Sequence, residues 1–323
     1  MNDRERLRRL MRGERVDRPP LLEEGVRDEV LELWRRQGMP QGKTHVDVFG
    51  LTPHENLGPD LRFEPSFFGR VFDLSPGEYR QAFDISDRRF PEDWKETVRR
   101  LEDRDHVVSI RASRGFFQAL GVGDWPTLEK VLLGAVEEPE KIVSRMELYG
   151  EFCSRMLERT LQDVDPEFVY LGEPISDNRG PLISPDMFQR FMVPVYERIV
   201  ATAKDFGCGN ILFSTYGDAG LLFPMLMEAG VNMLWISEAP ETPELNYRQI
   251  RNRFGAGLGL IGGIPLTVLR NESPEVIRSA LEEIVPPLLQ SGRYVPLAGG
   301  RVREGVTWPN YQAYREALAG LVT

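Results

Sequence analysis

Histidine, lysine and cysteine are all scarce in this chain of 323 residues. The three histidines are His45, His54 and His106, and the five lysines are Lys43, Lys95, Lys130, Lys141 and Lys204. None of them follows a convincing strand, which argues against a Ser–His relay, a Schiff-base lysine or a histidine-built metal cluster. The two cysteines, Cys153 and Cys208, lie far apart, as in a reduced cytoplasmic protein. No apolar run approaches the roughly 20 residues that span a bilayer. The stretch Asn2 to Leu10 is densely charged and has no apolar segment of the signal-peptide kind. A net charge of −10 argues against nucleic acid and anionic membrane as partners. Chemistry is therefore left to carboxylates, arginines, tyrosines and the backbone.

With 41% apolar residues the chain can bury a large core. Helical and strand patterns alternate along it. Residues 3–13 read as an amphipathic helix, Pro20 to Leu22 as a short buried strand, and 28–37 as a helix stopped by Gly38. Residues 40–90 are irregular, with one strand predicted over Glu78 to Ile85. A helix follows at 91–104, then a strand at 107–110 that ends in Arg111 and Arg114. Further strands are predicted at 168–171, 210–214, 231–236, 258–261 and 294–297. Helices are predicted at 127–134, 139–163, 185–206 (kinked at Pro194), after 220, and at 243–253, 274–290 and 309–321. Short apolar strands separated by helices imply a parallel sheet covered on both faces. About eight such units in some 300 residues favour a closed (β/α)8 TIM barrel of class α/β over an open sheet. The expected organisation is a single domain over 1–323, with an N-terminal helical extension and an irregular insertion at about 40–90.

In such a fold the strand ends converge, and loops leaving strands carry the chemistry. The most informative loop runs from Gly172 to the helix that starts at Ser184-Pro185-Asp186, and it contains Glu173, Asp177, Asn178 and Arg179. The other strand-end residues are Glu23 and Glu24, Arg111 and Arg114, Tyr216 and Asp218, Ser237 and Glu238, and Arg301 and Arg303. Arginine forks hold anionic substrates, and a buried carboxylate can serve as acid or base. The alternative for any one of them is mutual neutralisation around a rim. The pairs Gly262-Gly263 and Gly299-Gly300 fit either a close backbone approach to a ligand or plain tight turns.

Gly172 to Phe188 also resembles the G-E-D-x-x-x-x-x-G-P-L-I-S-P-x-x-F segment of the uroporphyrinogen decarboxylase family, with Pro174 in place of Asp. Arg4-Glu-Arg6, Gly13 and Val16 to Pro19 resemble its N-terminal motif. Leu226 to Asn232 with Leu260 to Ile264, and Gly292 to Pro296 with Asn310-Tyr311, resemble two later ones. The resemblance implies a TIM barrel and an enzyme that decarboxylates or transfers methyl groups. The porphyrinogen-binding R-Q-A-G-R loop of true uroporphyrinogen decarboxylases is replaced here by Leu22-Glu-Glu-Gly-Val-Arg-Asp-Glu29. The H-x-C zinc ligands of the corrinoid methyltransferase branch are replaced by Phe213-Ser-Thr-Tyr-Gly-Asp218. A third branch, whose L-x-E-x-G opening is approximated by Leu22 and Glu24, carries an acid–histidine pair where Gly299-Gly300-Arg301 stands.

The resemblance thus implies a methyltransferase-like, corrinoid-linked activity on a small carboxylate or tetrapyrrole-like substrate. The alternatives are a decarboxylase and a ligand-binding barrel that has lost catalysis. Glu173 or Asp218 is expected as acid–base and Tyr216 as a hydrogen-bond donor to developing charge. Glu24, Arg111, Arg114, Asp177, Asn178, Arg179, Glu238 and Arg301 are expected to bind substrate. Zinc and other metals are not expected; a corrinoid, or a corrinoid protein as partner, is the one cofactor implied. Phe63, Phe67, Phe68 and Phe72 point to a pocket lid or a homodimer surface, with a satellite core as the alternative.

Overall fold

A computed structural model describes residues 1–237, 242, 245–270 and 273–322. Seven strands carry the sheet: β1 (His54–Leu57), β2 (Val107–Ser113), β3 (Phe168–Glu173), β4 (Ile211–Tyr216), β5 (Met233–Ser237), β6 (Gly259–Ile264) and β7 (Tyr294–Ala298). Helices separate successive strands from β2 onward, and the fold is α/β of the TIM-barrel-like class. The chain forms two compact units. One comprises Met1–Glu55, Asp105–Val107 and Met233–Thr323; the other comprises Asn56–Arg104 and Val108–Asn232.

In the second unit β2, β3 and β4 pair in parallel, with Ile110 beside Val169 and Val169 beside Ile211. Their side chains are almost all buried, because helices cover the sheet and alternation gives way to continuous apolar runs. The long helix Pro139–Asp163 starts with Pro at its first position and buries Ile142, Met146, Tyr149, Phe152 and Met156 along one stripe. In the first unit β5, β6 and β7 pair in parallel, Leu234 beside Leu260 and Leu260 beside Tyr294. The helices Pro274–Gln290 and Trp308–Val322 pack there, the latter burying Trp308, Tyr311, Tyr314 and Leu318.

Three predicted elements differ. Pro20 to Leu22 forms no strand: Pro19 and Pro20 have no N–H to give a ladder, and the segment is held by Leu21 N–H to Thr52 Oγ1 at 3.0 Å and Thr52 N–H to the Leu21 carbonyl at 2.9 Å. Seven sheet strands are therefore found among the described residues, where about eight were expected. Glu78 to Ile85 is not a strand but follows into the helix Pro76–Ala82, started by a capping box between Ser75 and Glu78. Residues 185–206 form two helices, Pro185–Phe191 and Val193–Asp205, because Pro194 restarts a helix where it was expected to kink one. Of the insertion's aromatics, Phe72 is buried, Phe63 and Phe67 are half-buried and Phe68 is exposed. No helix among the described residues is long and apolar enough to cross a membrane.

Candidate functional site

The first unit assembles a carboxylate centre on Glu24. Val26 bridges Val302 in parallel; Val302 N–H donates to the Gly25 carbonyl at 2.9 Å, and Arg27 N–H to the Val302 carbonyl at 3.1 Å. This zipper fixes Glu24 beside the loop that follows β7. There Gly299 N–H donates to the Ile264 carbonyl at 2.7 Å, and Gly300, at φ 139°, turns the chain as only glycine does readily. The Glu24 carboxylate accepts a hydrogen bond from Ser237 Oγ, the last residue of β5, at 2.6 Å. Burial raises its pKa above the ordinary glutamate range; Ser237, the Trp235 indole and the charges of Arg301 and Arg303 pull it back only in part. Arg301 is exposed, with its Nε 3.7 Å from the point a side chain on Gly25 would occupy.

Behind Glu24 lies a second acid, Glu23, whose buried carboxylate meets Arg315 at 3.3 Å and accepts from Tyr311 and Tyr314 hydroxyls at 3.3 Å each. Burial lifts Glu23 to about 7 against the pull of Arg315. With Arg315, Tyr311 and Tyr314 supplied by the core helix Trp308–Val322 and the Glu24 N–H donating at 3.3 Å, this acid anchors the segment and leaves Glu24 to face the strand ends. The Gly262-Gly263 pair is no ligand cradle. Tyr247 packs on it, 2.6 Å from where a Gly263 side chain would begin, and its hydroxyl joins Ile236 N–H (3.0 Å) to the Ile261 carbonyl (2.7 Å).

In the second unit, Glu173 ends β3 but is wholly enclosed. Its carboxylate accepts from Phe116 N–H at 3.0 Å and from the Tyr196 hydroxyl, and burial pushes its pKa up to about 7. Gly115, at φ 88°, is required because a side chain there would collide with Glu173. The acid thus pins the turn that follows β2. Arg111 lies on the Tyr170 ring, its guanidinium carbon 4.4 Å from the centroid, and Arg114 is half-buried next to that turn. Asp177, Asn178 and Arg179 form the tip of a small hairpin, Ser176–Asp177 with Gly180–Pro181. Among the described residues Arg179 pairs only with Asp177, at 3.1 Å, and Asn178 is exposed. Asp218 accepts from Gly220 N–H at 3.0 Å, while Tyr216 is exposed at the end of β4. Glu238 lies outside the described residues.

The expected residues therefore fall into a Glu24–Arg301 group in one unit and an Arg111–Arg114–Glu173 group in the other. Sequence reading missed Trp235 and Tyr247 around Glu24, and Tyr196 on Glu173. Buried aromatics in helices and strands carry no signal that separates a polar contact from packing. Among the described residues no cluster of three His, Cys, Asp or Glu side chains is placed to hold a metal. Cys153 is buried with its thiol pushed up to about 12, which is the opposite of a metal-ligating thiolate.

The fold is α/β of the TIM-barrel-like class, and each unit carries acids and arginines at strand ends. The uroporphyrinogen decarboxylase (URO-D) family matches residues 123–318, and the chain belongs to that family. The structure is similar over 100% of both chains to a methyltransferase from Methanosarcina mazei, with a TM-score of 0.68 and 14% identity. At that identity the likeness establishes the shared fold. Two weaker likenesses are to a putative vitamin-B12 independent methionine synthase from Listeria monocytogenes (TM-score 0.40, 11% identity, 94% of this chain and 96% of that one) and to xylanase B from Clostridium stercorarium F9 (TM-score 0.39, 12% identity, 71% and 78%). The comparison with curated proteins found no match to the sequence.

Proposed function

We propose that this URO-D family member is a methyltransferase-like enzyme acting on a small carboxylate, with Glu24 as its proton-transferring group and a corrinoid as the source of the methyl group. The observation that carries the reading is the Glu24 carboxylate itself: it is largely desolvated, held by Ser237, and raised in pKa beside Arg301 and Arg303. Methyl transfer to a protonated acceptor requires a base that takes the acceptor's proton, and a glutamate whose pKa burial raises above its ordinary range is suited to that. Ser237 fixes the carboxylate's orientation, and the arginines keep part of its charge so that it remains a base. The full-length likeness to a methyltransferase supports transfer over decarboxylation. Decarboxylation would use the same group in the opposite sense, as an acid that delivers a proton to the carbanion left behind.

Titration of the purified protein with methylcobalamin tests the reading. Saturable binding, followed by loss of the methyl–cobalt absorbance when carboxylate-bearing acceptors are supplied, is expected. Turnover should fall by about 10²–10⁴ in Glu24→Gln, the contribution typical of one acid–base group. Release of carbon dioxide from the substrate without corrinoid uptake would assign the decarboxylase instead, and neither signal would point to a binding protein.

A further inference from the structure

Two arginines at the end of β2 are left with unmet hydrogen-bonding capacity. The register between β2 and β3 slips between Arg111 and Ser113, and such an irregularity re-aims side chains. Arg111 sits opposite Tyr170 in the parallel ladder, and its guanidinium lies over that ring. Gly172 is what gives it room: a side chain on Gly172 would begin 2.5 Å from Arg111 Nη1. Tyr170 is itself tethered through its hydroxyl to Ser214 Oγ at 3.0 Å, so the platform is fixed from below. Stacking engages the face of the guanidinium and leaves its N–H edge free.

Arg114 lies three residues on. Its backbone N–H donates to the Tyr149 hydroxyl at 2.9 Å, its Nε is buried without a hydrogen-bond partner, and neither Arg111 nor Arg114 forms an ion pair among the described residues. The charge of Arg111 is close enough to lower the pKa of Arg114, after burial itself. Asp60, a carboxylate whose charge acts on Arg114, is engaged by Arg62 at 2.7 Å. Glu173, which holds the following turn at Phe116, does not reach either guanidinium: its oxygens are taken by Phe116 N–H and Tyr196. Two half-buried like charges with an unpaired buried donor are costly by themselves, and an anion removes that cost.

We infer that Arg111 and Arg114 form a built oxyanion site that takes the carboxylate of a small organic acid, with Tyr170 and Gly172 setting the plane of the fork. A carboxylate matches the free edge of a stacked guanidinium in two parallel hydrogen bonds, and since phosphate can make the same fork contact the two anions are titrated separately. This anion site lies within the second unit and is proposed independently of the acid–base role of Glu24. Its test needs no turnover, so failure here and failure of the acid–base reading at Glu24 are separately visible.

The probes are succinate and, separately, inorganic phosphate, titrated calorimetrically into the full-length protein at low ionic strength. Saturable succinate binding is expected, weakened about ten- to a hundredfold in Arg111→Lys and in Arg114→Lys, which keep the charge and lose the fork. Gly172→Ala should also weaken it by displacing the Arg111 guanidinium with no change in charge. Arg114→Gln should raise the melting temperature of the anion-free protein by relieving repulsion, a gain that a merely structural arginine would not give. Wild-type protein with no saturable succinate binding, or Arg114→Gln binding succinate as tightly as wild type, would overturn the site. Phosphate binding that is tighter than succinate and survives both lysine variants would overturn the carboxylate assignment.

Discussion

Glu173→Gln should flatten the pH dependence of stability. The wild-type side chain is fully enclosed, and burial lifts it from the ordinary glutamate range to about 7. Because its folded pKa is raised, its stabilising share is complete below the unfolded value of about 4.3 and disappears as pH rises through about 7. At about 1.4 kcal/mol per pH unit, that interval is worth about 4 kcal/mol, of which about 1 kcal/mol is already lost by pH 5. A neutral glutamine mimics the protonated acid: its oxygen can accept from Phe116 N–H and its amide can donate to the Tyr196 hydroxyl. Urea unfolding of both proteins at pH 5 and pH 8 provides the comparison. The variant should exceed wild type by about 1 kcal/mol at pH 5 and by about 4 kcal/mol at pH 8. The buried His54, held down to about 4, and Glu23 titrate in both proteins and cancel in the difference. A difference that is unchanged between the two pH values would refute the reasoning.

Other perturbations follow from single contacts. Gly115→Ala combines a left-handed backbone with a collision on Glu173 and should cost about 2–5 kcal/mol by chemical denaturation. Arg315→Met strips Glu23 of its buried cation and should cost about 3–5 kcal/mol, much of it recovered when Glu23→Gln is added. Arg179→Ala, at an exposed hairpin tip, should change stability by no more than about 0.5 kcal/mol in the same assay. Cys153, buried with its thiol pushed up to about 12, should not react with a disulfide reagent in the native protein at pH 8, and should react on unfolding.

Much of the fold is legible in the sequence because helix punctuation is strong. Pro139–Asp163 and Pro274–Gln290 begin and end where Pro at the first position and the apolar period place them. The strands from β2 onward are apolar runs bounded by turns, and their positions follow. The helix Pro76–Ala82 was hidden because Tyr79, Phe83 and Ile85 mimic a two-residue period, although Ser75-Pro76-Gly77-Glu78 spells a capping box. The site is harder to read. Glu24, Arg111 and Arg114 can be placed at strand ends, but which carboxylate is desolvated depends on partners remote in sequence. Ser237 lies 213 residues from Glu24, and Phe116 lies 57 from Glu173. Nothing local to Gly172-Glu173 shows that one glutamate faces inward to pin a turn while the other lies beside arginines.

The protonation of Glu24 itself bears most directly on the proposed chemistry. Infrared difference spectra of wild type against Glu24→Gln, followed from pH 4 to pH 9, isolate its carboxyl stretch. A protonated band that gives way to carboxylate at a higher pH than that of a free glutamate is expected. A side chain that ionises no later than a free glutamate would contradict this, since a carboxylate of ordinary pKa beside Arg301 and Arg303 would be a structural anion and not a proton carrier.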